Sequence, residues 1–297
     1  MIIINIIGGL GNQLFQYATA KRLALKHNVE LKMDTNFEND KLRDFKLQFF
    51  NISEKIAKKE EVDKLILSFK IYNKIHHKIY RKLQLLKPYY KRKYYKYKLW
   101  SNDIGVLKAS KNVYLDGYWG NELFFNDIRR QLLKTFTIKK EYITKDFTYL
   151  KNEIAKQNSI SIHIRRGDYA ENKYNLNFFG LMPVEYYQKA INYVTEKFSK
   201  NVFYVFSDDI DYVKQNFNFN TKVVYIENKN LQDYHELKLM SFCKHNIIAN
   251  STFSWWAAWL NKNPSKTVIA PKNWYNNTNA QEFYEKHSFV PETWIKL

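Results

Sequence analysis

Cysteine is nearly absent. Cys243 stands alone in 297 residues, which excludes an intrachain disulfide framework and fits a reducing compartment. Acidic residues are the scarcer charge: 29 Asp and Glu face 48 Lys and Arg, a formal net charge of +19. That excess favours an anionic partner such as a nucleotide, a nucleic acid or an acidic lipid. No apolar run is suited to crossing a bilayer, since the uncharged stretch 246–261 is too short and too polar. Residues 1–20 carry no charge but hold three glycines and lack a basic leader, so no secretory signal is read there. A cytoplasmic location is expected. No Walker-type phosphate loop occurs. What is abundant is core material: 45% hydrophobic residues, with 23 Tyr and 21 Phe, predict a folded chain of one large or two medium domains.

Periodicity organises the chain. Residues 2–7 read as a buried strand, Gly8, Gly9 and Gly11 as a turn, and about 12–26 as a helix with Leu14, Tyr17, Ala18 and Leu25 on one side. A second strand at 29–33 completes a βαβ opening. A dehydrogenase fingerprint fails here, because Leu14 occupies the place of the third small residue. A strand at 113–116 precedes a helix capped by Asn121 and running to about 136. The passage 137–157 joins the halves, with the domain boundary placed at 150. In 151–297, strands at 160–164, 202–206, 223–226, 247–249 and 268–270 alternate with helices at 183–198, 231–243 and 252–260. Near-continuous apolar strands between helices predict a parallel sheet covered on both faces. Polar residues gather at strand exits: Arg165, Arg166, Ser207, Asp208, Asp209, Glu227, Asn250, Ser251, Thr252 and Lys272. Open α/β sheets bind ligands at that edge.

The stretch 159–169 is the centre of the pattern. Isoleucines at 160, 162 and 164 alternate with Ser161, His163 and Arg165, and the strand breaks at Arg166-Gly167-Asp168. His163 and Arg165 therefore share a face. Two adjacent arginines at a buried strand's exit need either a bound anion or a structural ion pair with Asp168.

The run His163-Ile164-Arg165-Arg166-Gly167-Asp168-Tyr169 resembles the signature of bacterial α-1,2-fucosyltransferases. Three further stretches are similar to the same family, in its order: Gly8-Gly9-Leu10-Gly11-Asn12-Gln13-Leu14-Phe15-Gln16-Tyr17-Ala18, Ser207-Asp208-Asp209, and Asn250-Ser251-Thr252-Phe253-Ser254-Trp255-Trp256. The resemblance implies two facing Rossmann-like domains of GT-B type, with GDP-β-L-fucose held on the second. It implies metal-independent transfer with inversion to the 2-hydroxyl of a galactoside in a surface glycan, with a lipid-linked acceptor as one option. The runners-up are transfer of another GDP-linked sugar and a basic nucleic-acid-binding protein. No nucleic-acid module is recognisable. A fainter resemblance to protein O-fucosyltransferases, on Gly8–Asn12 and His163–Arg165, implies that Asn12 lies close to the reacting sugar.

Glycosyl transfer must stabilise a departing diphosphate and deprotonate an acceptor hydroxyl. Arg165, Arg166 and a helix N-terminus at Ser251 and Thr252 suit the first task. Ser251 or Thr252 also reads as a plain N-cap, and Asn12 as a cap of the first helix. The donor site is expected to comprise His163, Arg165, Arg166, Asp168, Ser207, Asp208, Asp209, Asn250, Ser251, Thr252 and Phe253. In it, Asp208 or Asp209 accepts from guanine. Asp209-Ile210-Asp211 matches a metal motif of another architecture, but no metal is assigned. Asp34 is carried as the base, with Asp116 and Glu122 as alternatives, and Gln13, Asp116, Trp119 and Glu122 as the acceptor side. Trp255, Trp256 and Trp259 read as core, and His235 and His245 with Cys243 do not make a zinc set.

Residues 64–102 contain no acidic side chain and mix Lys and Arg with Tyr. The reading adopted is a solvated helical insertion at about 55–100, with Leu65, Phe69, Tyr72 and Ile79 as a partial apolar face. A single-strand nucleic-acid platform and contact with an anionic membrane are its alternatives.

Overall fold

The computed structural model describes residues 1–35, 44–66, 74–97, 104–227 and 229–297, without the side chains of residues 74–77 and 168. Phe69, Tyr72 and residues 98–102 of the basic stretch lie outside them. The chain divides into two compact units, Met1–Thr137 and Ile138–Leu297. The division falls before the expected residue 150 because helix Lys145–Ala155 belongs with the second unit. Its Phe147 ring lies 5.2 Å from His235 and 6.2 Å from Phe242.

The first unit contains a parallel sheet of β1 (Ile2–Asn5), β2 (Leu31–Asp34), β3 (Lys55–Ile56), β4 (Tyr94–Lys96) and β5 (Val113–Asp116), ordered β3-β2-β1-β5-β4. Ile2, Ile3 and Ile4 are fully buried, as a central parallel strand covered on both faces requires. Helix Leu10–His27 starts two residues earlier than its periodicity implied, with Gly9 as N-cap, and ends on a left-handed Asn28. Leu25 belongs to its exposed last turn rather than its buried side. The segment read as an insertion supplies both edge strands, β3 and β4, and helices Lys59–Ile66 and Lys74–Leu85. Of its apolar face, Leu65 is buried and Ile79 is exposed. The helix expected over 121–136 is split into 3-10 turns Glu122–Phe124 and Asn126–Ile128 and a short α-helix, Arg129–Thr135.

The second unit contains β6 (Asn158–Ile164), β7 (Asn201–Ser207), β8 (Lys222–Tyr225), β9 (His245–Ile247), β10 (Val268–Ala270) and β11 (Ile295–Lys296), all parallel. The order β8-β7-β6-β9-β10-β11 is the dinucleotide-fold order, whose direction of winding reverses between β6 and β9. On one face Ile160, Ile162 and Ile164 pack with Tyr186, Tyr187, Ala190 and Ile191 of helix Val184–Lys197. Helix Thr252–Leu260 buries Trp255, Trp256 and Trp259, with ring centroids 5.1 to 6.2 Å apart. Those rings are core, as read. No helix of the described residues is long and apolar enough to cross a membrane.

Candidate functional site

Winding reversal leaves a crevice at the carboxyl ends of β6 and β9, and both ends carry the expected polar residues. Arg165 leaves β6 and pairs through Nη1 with Asp208 Oδ2 at 2.7 Å. The Arg166 backbone N–H donates to Asp208 Oδ1 at 2.8 Å, and its Nε donates to Asp209 Oδ2 at 3.0 Å. The Arg166 guanidinium also lies 3.4 Å from the Tyr212 ring centroid. The counter-charges thus come from the exit of β7. Asp168 was the carboxylate expected to hold the arginines, and its side chain lies outside the described residues.

Asp208 and Asp209 are committed differently from their expected contact with guanine. Each Asp208 oxygen accepts from an arginine, while Asp209 Oδ1 accepts from Tyr212 N at 3.1 Å and so caps helix Ile210–Asn216. Ser207 Oγ in turn accepts from Asp209 N at 3.0 Å. Two guanidiniums at a buried strand exit require this neutralisation. Gly167 makes it sterically feasible, since a Cβ there would stand 2.5 Å from Asp208 Oδ2. A guanidinium has five N–H donors, so one carboxylate leaves further donors for a diphosphate.

His163 is buried two residues before Arg165, with its ring 5.5 Å from Phe253. Burial pushes its pKa down to about 3, and the Arg165 charge adds to the effect. The imidazole is therefore neutral, and its Nδ1 has no hydrogen-bond partner among the described residues. Beyond β9, Asn250 Nδ2 donates to the carbonyls of Phe179 at 3.0 Å and Trp274 at 3.1 Å, tying two loops to the strand exit. Its buried Oδ1 has no partner among the described residues. Ser251 caps helix Thr252–Leu260 by accepting from Phe253 N at 3.3 Å. The cap reading and the phosphate reading coexist there, because an N-cap leaves other first-turn N–H groups to a ligand. Thr252 opens that helix.

Glu236 was missed by sequence reasoning. It sits on helix Asp233–Phe242, most of whose side chains are buried, and burial raises its carboxyl to about 7, with help from the Asp233 and Asp208 charges. Its backbone N–H donates to Gln232 O at 3.2 Å, while its carboxyl makes no hydrogen bond among the described residues. Its only sequence signal is an acidic residue inside the predicted helix 231–243. The histidines are structural: His235 Nδ1 accepts from Gln232 N at 3.1 Å, and His245 Nδ1 accepts from Thr267 N at 3.0 Å.

In the first unit, register sets Asp34, Asn5 and Asp116 in one row at the carboxyl edge. Tyr114 donates to Asp34 at 2.8 Å, Asn5 Nδ2 donates to Asp116 Oδ1 at 3.2 Å, and the Tyr94 hydroxyl donates to Asp116 Oδ2. Asp34 is 3% exposed, which removes the carboxylate expected as base from contact with a substrate hydroxyl. Asp116 is only half-buried. Asn12 is not a cap, since Gly9 holds that position; it lies in the first helical turn, against Gly8. Gln13 is a staple rather than an acceptor contact, donating to the Gly8 and Asp44 carbonyls at 2.8 and 2.9 Å and accepting from Lys46 N at 2.9 Å. Trp119 is fully buried at a positive φ of 40°, edge-on to Tyr97, so it offers no open sugar platform. Glu122 starts a 3-10 turn capped by Asn121.

A parallel sheet in dinucleotide-fold order, with neutralised arginines and a helix N-terminus at its winding reversal, defines a class: transferases that take a group from a nucleotide-linked donor. The glycosyl transferase family 11 profile matches residues 1–297, and the chain belongs to that family. It is 34% identical to an α-1,2-colitosyltransferase of Escherichia coli over all of this chain and 99% of the relative. It is 32% identical to the Escherichia coli O-antigen biosynthesis glycosyltransferase WbnK, over 98% of each chain. The crystal structure of the Bradyrhizobium NodZ α-1,6-fucosyltransferase soaked with GDP-fucose is similar, with a TM-score of 0.52 and 15% identity, covering 87% of this chain and 92% of that one. That likeness shows a shared fold.

Proposed function

We propose that the chain transfers L-fucose from GDP-β-L-fucose to the 2-hydroxyl of a galactoside in a surface glycan, with inversion and without a metal ion. The observation that carries this reading is the Arg165–Asp208 and Arg166–Asp209 pairing beside the Ser251-capped helix. Preorganised guanidiniums and a helix N-terminus supply fixed positive charge where the diphosphate leaves. His163 Nδ1 and Asn250 Oδ1, which have no partner among the described residues, are buried polar atoms that a bound donor would satisfy. Glu236, rather than Asp208 or Asp209, offers a carboxyl to the paired N–H donors of guanine. Proton acceptance from the acceptor is assigned to Asp116 in place of the buried Asp34.

A second reading is favoured by the 34% identical relative, which is named for colitose, a fucose lacking its 3-hydroxyl. Turnover of GDP-fucose, GDP-colitose, GDP-mannose and UDP-galactose separates the two. Preference for GDP-fucose supports the first reading, preference for GDP-colitose replaces it with the second, and preference for a UDP-sugar overturns both. Activity that survives excess EDTA supports metal-independent transfer, whereas loss restored by Mn²⁺ contradicts it. We place the reaction on the cytoplasmic side, on a lipid-linked acceptor, in keeping with a sole, buried Cys243 whose thiol pKa burial raises.

A further inference from the structure

Helix Lys74–Leu85 meets the first unit through its Gln84 side, which is buried and accepts from Lys93 N at 3.0 Å. Arg92 completes that clamp. It donates to the carbonyls of Leu85 and Lys87, both at 2.8 Å, and lies over the rings of Tyr89 and Tyr95. The opposite side is where a water-facing helix would be polar throughout. Here it presents Ile79, Leu83 and Leu86, which are 49%, 52% and 82% exposed, followed by Tyr90 at 63%. Each is adjacent to an exposed lysine. The pairs Lys78-Ile79, Lys82-Leu83, Leu86-Lys87 and Tyr90-Lys91 recur every four residues, from the helix through its last turn to the 3-10 turn Tyr89–Lys91.

We propose that this strip docks the protein on an anionic lipid bilayer. Exposed aliphatic side chains gain by entering the headgroup–acyl boundary, and lysines beside them meet lipid phosphates. Charge complementarity selects this occupant. With no acidic side chain in 64–102, a second copy of the strip would be met by like charge. Of the strip's four exposed apolar side chains only Tyr90 carries a ring on which a nucleic-acid base could stack, whereas Ile79, Leu83 and Leu86 are aliphatic. The inference goes beyond sugar transfer and stands whichever donor is used.

The test is co-sedimentation of the full-length protein with vesicles of phosphatidylcholine alone or enriched in phosphatidylglycerol. Binding is expected on the enriched vesicles only, falling as salt rises. Each of Lys78→Gln, Lys82→Gln, Lys87→Gln and Lys91→Gln should weaken it about fivefold, and Ile79→Ser/Leu83→Ser/Leu86→Ser about tenfold or more. Arg92→Gln should instead lower the melting temperature. Unchanged melting of the strip variants shows that they are folded. Equal binding to neutral vesicles, or undiminished binding of the folded strip variants, overturns the proposal. So does self-association that the triple serine variant abolishes, which assigns the strip to a second copy. Displacement from vesicles by a random oligonucleotide assigns it to nucleic acid.

Discussion

Arg165 and Arg166 are neighbours in sequence, yet their surroundings differ. Arg165 is held by Asp208 and flanked by the Tyr169 ring at 5.7 Å, whereas Arg166 is braced by Asp209, Tyr212 and its own backbone. A lysine at 165 keeps the charge but loses bidentate contact with a diphosphate. Arg165→Lys should therefore lose on the order of 10²-fold in kcat, measured by steady-state kinetics at saturating donor. Arg166→Lys should lose less, with more of the effect in donor KM. Near wild-type kcat in a folded Arg165→Lys variant would make that residue structural. The partner of each arginine was not legible locally, because it follows the adjacent strand β7 and only the tertiary pairing of β6 with β7 brings it close. Glu236 carries a pH prediction. Its folded pKa of about 7 exceeds the usual carboxylate value of 4.5, so the folded chain keeps a proton that the unfolded chain releases. Its stabilising contribution is complete below about pH 4.5 and is lost as pH rises through 7, a change on the order of 3 kcal/mol. Glu236→Gln should flatten the fall in melting temperature between pH 5 and pH 8. An unchanged slope would refute this.

At the scale of elements, the glycine turn after β1 depends on two residues. Gly8 has φ +79°, and a Cβ there would stand 2.9 Å from Asn12 Nδ2. Gln13 pins the same turn to the backbone at 44–46. Gly8→Ala should cost roughly 1–2 kcal/mol from the left-handed backbone alone, and it should also shift Asn12. Gly9→Ala, which meets nothing within 4 Å, should cost less. Denaturant midpoints at constant m-value distinguish the two, and equal midpoints would contradict the reading. Among the elements legible in sequence are β1, β5 and β7, whose burial leaves a continuous apolar run, and β6, whose isoleucines alternate with polar residues. The edge strands of the first sheet were not, although β8 at the edge of the second was. Lys55–Ile56 is exposed, and the buried Tyr94 and Tyr95 of β4 are hidden among lysines that suggest a solvated surface. Likewise β9 ends at Ile247, earlier than its hydrophobicity implies, because Ile248 and Ala249 remain buried beyond the β6 pairing.

At the scale of the molecule, the ladder order makes the polar strand exits converge. Sequence spacing supplied the exits, whereas the winding reversal between β6 and β9 shows why 165–166 and 250–252 share one crevice. First-half chemistry was less legible, since Asp34, Gln13 and Trp119 have residue types that suit a substrate but burial or bonding that suits a scaffold. That contrast predicts opposite phenotypes. Asp116→Asn should lower kcat with little change in melting, while Asp34→Asn should mainly destabilise, and the reverse pattern would return the base to Asp34. The central claim is transfer of fucose from a GDP-linked donor to a galactoside 2-hydroxyl. Its most direct measurement is incubation with GDP-fucose and a β-galactoside, with the product linkage read by nuclear magnetic resonance. The account predicts an α-1,2-linked fucoside formed in step with GDP release. A different linkage, or no product from GDP-fucose where another sugar nucleotide is consumed, would contradict it.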